Sequence, residues 1–596
     1  MHRKTRVTCS LIPLLLATSL PSVAQATDFG IDRAGRAAEP TDYRYTLPPT
    51  PQRDLIIAPL MERPLGVEEG PTLEVEAFDL IGFDIVPGVR LTRQEVDHLV
   101  AEERRTHNNL FTIGQLQLLA DQLTNLYRER GAILAHAYIP AQEVVAGRVR
   151  IEMLQGALGG VVFEGPSDQA LIFKEQALQL PFNRLLGEAV TIQNVERALF
   201  TLSDYPGISF FGMFRPGSQL GETELLVKID QQPRAIYGIG ADNHGSLETG
   251  EYRLYADLTL NSLTGYADRL YAKLQHSLSP AKAVYGEIEY WLPKLHADYD
   301  LGVRVSRSDY QIAGTILQEG VVDDLELSSR WRAIRGRTFN VTPGADLSLR
   351  RYTTEGDLGA KEDNLTIGSL RVALDHNDEW LANLFGPHAH GVTQGLIRYS
   401  HGFGNLLGSM EASDAPSSSR IGAGGVRAGG AFDRLDLSLL RYQALTPQRG
   451  LLFKLRGQYS PDMLVPIEQL ALGGPTSVRA YPAAQYLADS GLQFSLEYQQ
   501  AFPGLSDKPA PWGSTWGESL RLIAFADYGW GENNRPLRSE EGSQELVGAG
   551  LGLRLNVPER MQVSLTVATP VGREDPANER DPQYFFDLRY SFGGRR

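Results

Sequence analysis

Cysteine is almost missing from this sequence: Cys9 is the only one in 596 residues. Everything past position 9 is therefore closed to disulfides and to thiol catalysis. Long apolar runs are missing too. Beyond the N-terminus no segment stays apolar for the roughly 20 residues that a membrane-spanning helix needs. The phosphate-cradling pattern G-x-x-x-x-G-K-[ST] does not occur, nor does the G-x-S-x-G nucleophile elbow. Positive charge is the minority sign, with 57 Lys and Arg against 72 Asp and Glu and a net charge of −15. Nucleic acid does not suit such a balance, because phosphates need clustered Lys and Arg. An apolar fraction of 42% argues against a disordered chain.

The eleven histidines are scattered. His388 and His390, near His376 and Asp378, are the one group suggestive of a metal, and their setting beside Trp380 and Pro387 reads as a solvated hairpin. Asp323-Asp324 and Glu540-Glu541 read as solvated loops, and Ser417-Ser418-Ser419 with the glycine-rich run 422–430 reads as turn and strand start. No catalytic constellation, metal set or cofactor site is expected, and the chain is read as not an enzyme.

What is present begins with a secretory signal over residues 1–26. Arg3, Lys4 and Arg6 precede a short apolar core, and Ala24 and Ala26 supply an A-x-A cleavage pattern, so the mature start is expected near Thr27. Residues 27–71 are polar and proline-interrupted and read as a leader or linker, with a short helix over 31–38 that could act as a plug. From residue 72 the patterning is regular. A strand over 75–80 precedes a helix opened by the capping box Thr92/Glu95. A second box, Thr112/Gln115, opens a longer helix with Leu116, Leu119, Leu123 and Leu126 among its apolar positions, stopped by Gly131. Strands over 133–140 and 148–153 follow. The same order of strand, helix, helix, strand, strand recurs at 160–164, 169–178, 191–202, 209–214 and 224–229. Two tandem α+β modules result, 72–156 and 157–231.

From 232 to 592 the period changes to two. Leu254, Ala256, Leu258 and Leu260 alternate with Arg253, Tyr255, Asp257 and Thr259; Leu301, Val303 and Val305 alternate with Asp300, Gly302 and Arg304; Phe586, Leu588, Tyr590 and Phe592 alternate with Phe585, Asp587, Arg589 and Ser591. Repeated segments of this kind between turn residues make a barrel that is apolar outside and polar inside. Aromatics such as Tyr290-Trp291 and Tyr266 near strand ends suit a membrane interface. At about 22 residues per strand and loop the stretch holds about sixteen antiparallel strands, with about fourteen or about eighteen also fitting, and sixteen are enough for an aqueous lumen. Between strands ending near Tyr459 and beginning near Gly491 lie about thirty residues without periodicity, a length usual for a functional loop. Its centre holds Val478, Arg479, Ala480 and Tyr481, an odd composition for a solvated tip.

These residues carry a resemblance. Tyr127-Arg128-Glu129-Arg130-Gly131-Ala132, with Tyr138-Ile139-Pro140-Ala141-Gln142 and Gly147-Arg148-Val149-Arg150-Ile151, is similar to the end of the first POTRA module of two-partner secretion translocators, the haemolysin activation/secretion proteins. Glu196-Arg197-Ala198-Leu199 and Ser203-Asp204-Tyr205-Pro206-Gly207 resemble the second module, and Ala241-Asp242-Asn243-His244-Gly245-Ser246 resembles the start of the barrel. Gly473-Gly474-Pro475-Thr476-Ser477-Val478-Arg479-Ala480-Tyr481 resembles the signature of the sixth loop, departing at Ala480, where Gly is usual. That methyl would matter only at positive φ. The resemblance implies a mostly β protein, with two periplasmic POTRA-like modules ahead of an outer-membrane barrel of about 16 strands. It implies a loop folded into the lumen and held by Arg479 on the wall strand Phe525-Ala526-Asp527-Tyr528-Gly529, with Asp527 facing inward as the carboxylate partner.

The implied function is a pore that captures one large unfolded exoprotein, of adhesin or cytolysin type, in the periplasm and passes it to the cell surface. Outer-membrane lipid and the barrel-assembly machinery are the other implied partners, and the modules' sheet edges would take the cargo as an added strand. A barrel insertase and a passive porin stay open as alternatives. Phe592 is read as the terminal strand residue, with Gly-Gly-Arg-Arg as a short overhang. The purified product should stay in solution only with detergent and show β-dominated circular dichroism; free solubility or a helical spectrum would overturn the membrane-barrel reading.

Overall fold

Threonine caps decide where the first module's helices begin. In the computed structural model, which describes residues 70–593 apart from 84–85, 168–169, 220, 232, 247, 279–281, 297, 313–317, 358 and 539, both expected capping boxes are formed. The signal, the leader helix over 31–38 and the last three residues lie outside the described residues. Thr92 N–H donates to Glu95 Oε2 at 2.8 Å and Thr92 Oγ1 accepts from Glu95 N–H, which satisfies two otherwise orphaned donors. Thr112 and Gln115 repeat the exchange.

The first module runs β1 (Ala77–Ile81), α1 (Arg93–Thr106), α2 (Ile113–Glu129), β2 (His136–Tyr138) and β3 (Arg148–Leu154). Its sheet order is β1–β3–β2, with β1 parallel and β2 antiparallel to β3. Val96, Leu119, Leu123 and Tyr127 of the helices pack on Ile151 and Met153. The strand expected over 75–80 starts later, at Ala77. Val75 donates its N–H to the Asn109 carbonyl at 2.8 Å and buries its side chain with Phe111 and Val149.

The second module repeats the plan with β4 (Ala157–Glu164), α3 (Glu175–Gln179), α4 (Ile192–Ser203), β5 (Ile208–Pro216) and β6 (Glu222–Gln231), in the order β4–β6–β5. The helix expected over 169–178 shrinks to five residues. Lys174 N–H donates to the Gly265 carbonyl on the barrel rim at 2.9 Å, so the approach to α3 is spent on docking. Asp204 completes the dock, accepting from Arg332 Nε at 3.1 Å and from Arg335 Nη2 at 2.6 Å.

Sixteen long strands, β7 (Ala235–Asp242) to β22 (Gln583–Phe592), pair antiparallel in succession, and β22 closes on β7. Leu274, Ile288, Val305, Leu370, Leu551 and Leu565 face outward and are exposed, the arrangement of a wall against lipid. Arg304 and Arg371 face inward and find Asp324 at 2.9 Å and Asp346 at 2.6 Å. Asp323 and Asp324 thus lie on strand β12 (Gln318–Trp331) rather than in a loop. Alternation sends one outward to Arg307 and the other into the lumen. Among the described residues no helix is long and apolar enough to cross a membrane.

Thr112→Ala should lower the first module's stability by about 1 kcal/mol, the usual cost of a lost cap, read as a lower denaturation midpoint. Backbone donation from Thr92 holds the Glu95 carboxyl below its ordinary pKa. Its contribution is present above the unfolded pKa and is lost as pH falls through the depressed folded value. Glu95→Gln should flatten that acid loss in hydrogen exchange of α1, and an unchanged acid profile would remove Glu95 as its source.

Candidate functional site

Residues 460–489 join β17 (Arg449–Tyr459) to β18 (Ser490–Ala501) and fold back into the lumen. Within them Leu470–Leu472 pairs with Tyr486–Ala488 as a small hairpin. Gly473 and Gly474 carry φ of +93° and +98°, the left-handed region in which glycine is unstrained, and turn the chain toward its tip. Val478, Arg479, Ala480 and Tyr481 at that tip are all buried.

Room for the tip comes from wall positions without side chains. Gly529 and Gly531 on β19 (Leu520–Glu532) and Gly548 on β20 (Ser543–Val557) face the loop. A Cβ on Gly529 would stand 2.8 Å from the Val478 side chain, and one on Gly531 would stand 2.6 Å from Ala488 Cβ. Ala480 does not have positive φ, so its methyl is unstrained; it occupies the space over Gly548, where an added Cβ would stand 2.5 Å away.

Arg479 is the hub of the seat. Its Nε donates to Asp527 Oδ2 at 2.8 Å, its Nη2 to Asp527 Oδ1 at 2.7 Å, and its own backbone N–H to Oδ2 at 3.1 Å. This is a two-pronged, charge-assisted grip on a carboxylate. Phe525 shares the inward parity of Asp527, and its ring lies under the guanidinium at 3.4 Å. The sequence reading named Asp527, Phe525 and Gly529 as the loop's partners on the wall and gave an inward direction to Asp527 alone.

Two partners escaped the sequence reading. Arg479 Nη1 donates to Glu497 Oε1 at 2.7 Å and Nη2 to Ser495 Oγ at 2.9 Å. Glu497, fully buried, also takes Lys454 at 3.2 Å and lies 3.7 Å from Arg554. The signal was available, because alternation along β18 puts Gln493, Ser495, Glu497 and Gln499 on one face.

A second loop was missed as well. Ser417-Ser418-Ser419 and the run 422–430, read as turn and strand start, belong to a folded loop over 404–431 whose Met410, Ala415 and Ala428 pack with Leu464, Val465 and Ile467 of the lumen loop over Tyr310 and Tyr352. Arg420 ties the two loops, donating from Nη1 to Asp489 Oδ1 at 2.5 Å and to the Leu464 carbonyl at 2.7 Å. Asp489 also accepts from Leu464 N–H, Gln469 and Asn534 N–H.

At the barrel's closure the Asn243 side chain spans the joint, donating to the Tyr584 carbonyl at 2.7 Å and accepting from Phe586 N–H at 2.8 Å. Beside it Asp242, His244 and Asp587 bring ligand-type atoms together. Asp242 is engaged by Arg253 at 2.7 Å and Asp587 by the Tyr255 hydroxyl at 3.2 Å, so the group is tied into the closure. His388 and His390 do not join His376 and Asp378 in such a group among the described residues. The arrangement holds the 460–489 loop inside the barrel.

Comparison with known proteins agrees with this architecture. Residues 221–555 match the family haemolysin secretion/activation protein ShlB/FhaC/HecB, and residues 82–156 match the POTRA domain, ShlB-type. The heme/hemopexin transporter protein HuxB of Haemophilus influenzae (strain 86-028NP) is 25% identical over 77% of this chain and 78% of its own. The outer membrane transporter CdiB of Escherichia coli is 24% identical over 84% of this chain and 79% of its own. The solved structure of CdiB from Escherichia coli superposes with a TM-score of 0.68 at 20% identity, covering 96% of this chain and all of that one. CdiB from Acinetobacter baumannii gives 0.60 at 17% identity, covering 91% of this chain and 94% of that one. With a family match over more than half its length, the chain belongs to the haemolysin secretion/activation family, as an outer-membrane transporter of two-partner secretion with POTRA modules in the periplasm.

Proposed function

We propose that the seated loop sets the conducting state of a conduit for one unfolded exoprotein of adhesin or cytolysin type, and that the two modules capture this cargo by strand addition. The observation that carries the reading is the arginine at the loop tip, buried between two wall carboxylates with a ring beneath it. Such a contact is strong while complete and costly when one partner leaves, the property required of a latch. The outer edge strand β5, with Phe211 exposed, offers backbone groups to an extended chain on the periplasmic side. Surrounding lipid and the barrel-assembly machinery are the remaining partners, with Phe592 ending the last strand.

Arg479→Ala leaves the buried Asp527 without its cation, while Glu497 keeps Lys454 and Arg554, and should weaken the seat by about 3–5 kcal/mol. Exoprotein in the medium should drop at least tenfold while the barrel still folds, judged by heat-modifiable migration. Arg479→Lys should recover little, since an ammonium cannot make the fork. Exchanging the pair by Arg479→Asp with Asp527→Arg sets the new acid against Glu497, so export should return only when Glu497→Gln is added. Additive loss across all three changes would sink the latch.

Gly529→Leu and Gly548→Leu should expel the loop and reproduce the Arg479→Ala defect, with the 460–489 segment newly open to added protease. Wild-type export from either variant would show the seat to be dispensable. Depletion separates the insertase alternative, since loss of one secreted protein supports this reading and general loss of barrels does not.

A further inference from the structure

The turn between β14 (Lys361–Asp378) and β15 (Gly391–Phe403) carries an apolar knob on the periplasmic side. Trp380 is 71% exposed, Leu384 73% and Phe385 46%, the last two on the single helical turn Ala382–Phe385. Three large exposed apolar side chains on one short turn, at 380, 384 and 385, suit a binding surface. Their neighbours decide which side of the wall they occupy. His376, whose ring is 5.9 Å from that of Trp380, shares the outward parity of Leu370 and Val372. Phe339, outward on β13 (Phe339–Gly356), continues the row at 6.0 Å from His376. Arg441, on the outward register of Leu435 and Leu437 in β16 (Phe432–Thr446), lies 5.0 Å from the Trp380 ring and is held by Asp378. Trp380 N–H donates to Asp378 as well. The knob is thus bent against the outside of the barrel and does not hang beneath its mouth.

The opposite end of the same strands repeats the theme. Thr366, outward on β14, is covered by the 404–431 loop, donating from Oγ1 to the Leu406 carbonyl at 2.8 Å, and Leu406 and Leu407 stand exposed beside it. From Thr366 to His376 is ten residues, about 33 Å along the strand and about 25 Å along the membrane normal at a usual barrel tilt. The two apolar clusters therefore bracket a stretch as tall as the hydrocarbon layer. Trp at such a boundary, on a short turn with Leu and Phe, has the chemistry of an interfacial anchor.

We propose that residues 380–385 are a lipid-binding foot, seated in the headgroup–acyl boundary of the inner leaflet and continuous with the lipid-facing wall. Its occupant is phospholipid. A periplasmic protein on the same patch is the competing occupant. β14 and β15 are the eighth and ninth strands of the sixteen, so the foot lies across the barrel from the β22–β7 closure.

The full-length chain's single cysteine simplifies the test. In a Cys9→Ser background, Leu384→Cys carries the only thiol and takes an NBD fluorophore. The variant is reconstituted in phosphatidylethanolamine/phosphatidylglycerol vesicles, with Leu370→Cys and Val145→Cys as the wall and module references, and heat-modifiable migration confirms each fold. The expected result is iodide quenching at 384 at least fivefold weaker than at 145, with nitroxide lipids labelled near the headgroup quenching 384 more than those labelled at mid-chain. Iodide access at 384 equal to that at 145, or no quenching by either nitroxide lipid, would overturn the foot and leave a soluble protein as the patch's occupant.

Discussion

A guanidinium removed from bulk water must be surrounded by acceptors, and the lumen of this barrel is organised around meeting that requirement for Arg479. Asp527 supplies both oxygens, Glu497 one more, Ser495 a hydroxyl and Phe525 a π face. Each belongs to a wall strand, so the loop tip is referenced to β18 and β19 at once. Glu497 is shared with Lys454 and Arg554, which couples the tip to β17 and β20 through charge. Through its arginine alone the motif makes a four-strand contact.

Shape supports charge. Glycines at 529, 531 and 548 leave a shallow track, and Val478, Ala480 and Ala488 fill it. The small side chains of the loop and the missing ones of the wall are two halves of one packing solution, which is why an alanine serves at position 480. The second loop, 404–431, then builds an apolar lid over the base of the first, fixed at its centre by Arg420 and Asp489. The second module docks on the opposite rim through Asp204 and Arg332.

Much of this was legible from period alone. Alternation marked the barrel and, on the strand the resemblance pointed to, the inward direction of Asp527; length set the strand number loosely, and the threonine boxes marked both helix starts in the first module. What stayed hidden depends on partners far away in the chain. Glu497 reads as one polar residue among several until Arg479, 18 residues earlier, arrives beside it. Arg420 sits in a glycine- and serine-rich stretch that looks like an ordinary turn, and its carboxylate is 69 residues on. Local propensity extends α3 back to 169, whereas the bond from Lys174 to Gly265 shortens it. Asp324 looks solvated beside Asp323 because no short-range pattern states that one of two adjacent acids will line a lumen.

The closure of the barrel carries a mechanical corollary. β22 and β7 share six register pairs, whereas β13 and β14 share sixteen, and the deficit is bridged by the amide of Asn243. Stiffness against widening is therefore distributed unevenly around the hoop. The joint that makes the cylinder is also its most compliant stave, held in part by a side chain whose rotamer, unlike a backbone ladder, can let go and return without a change of register.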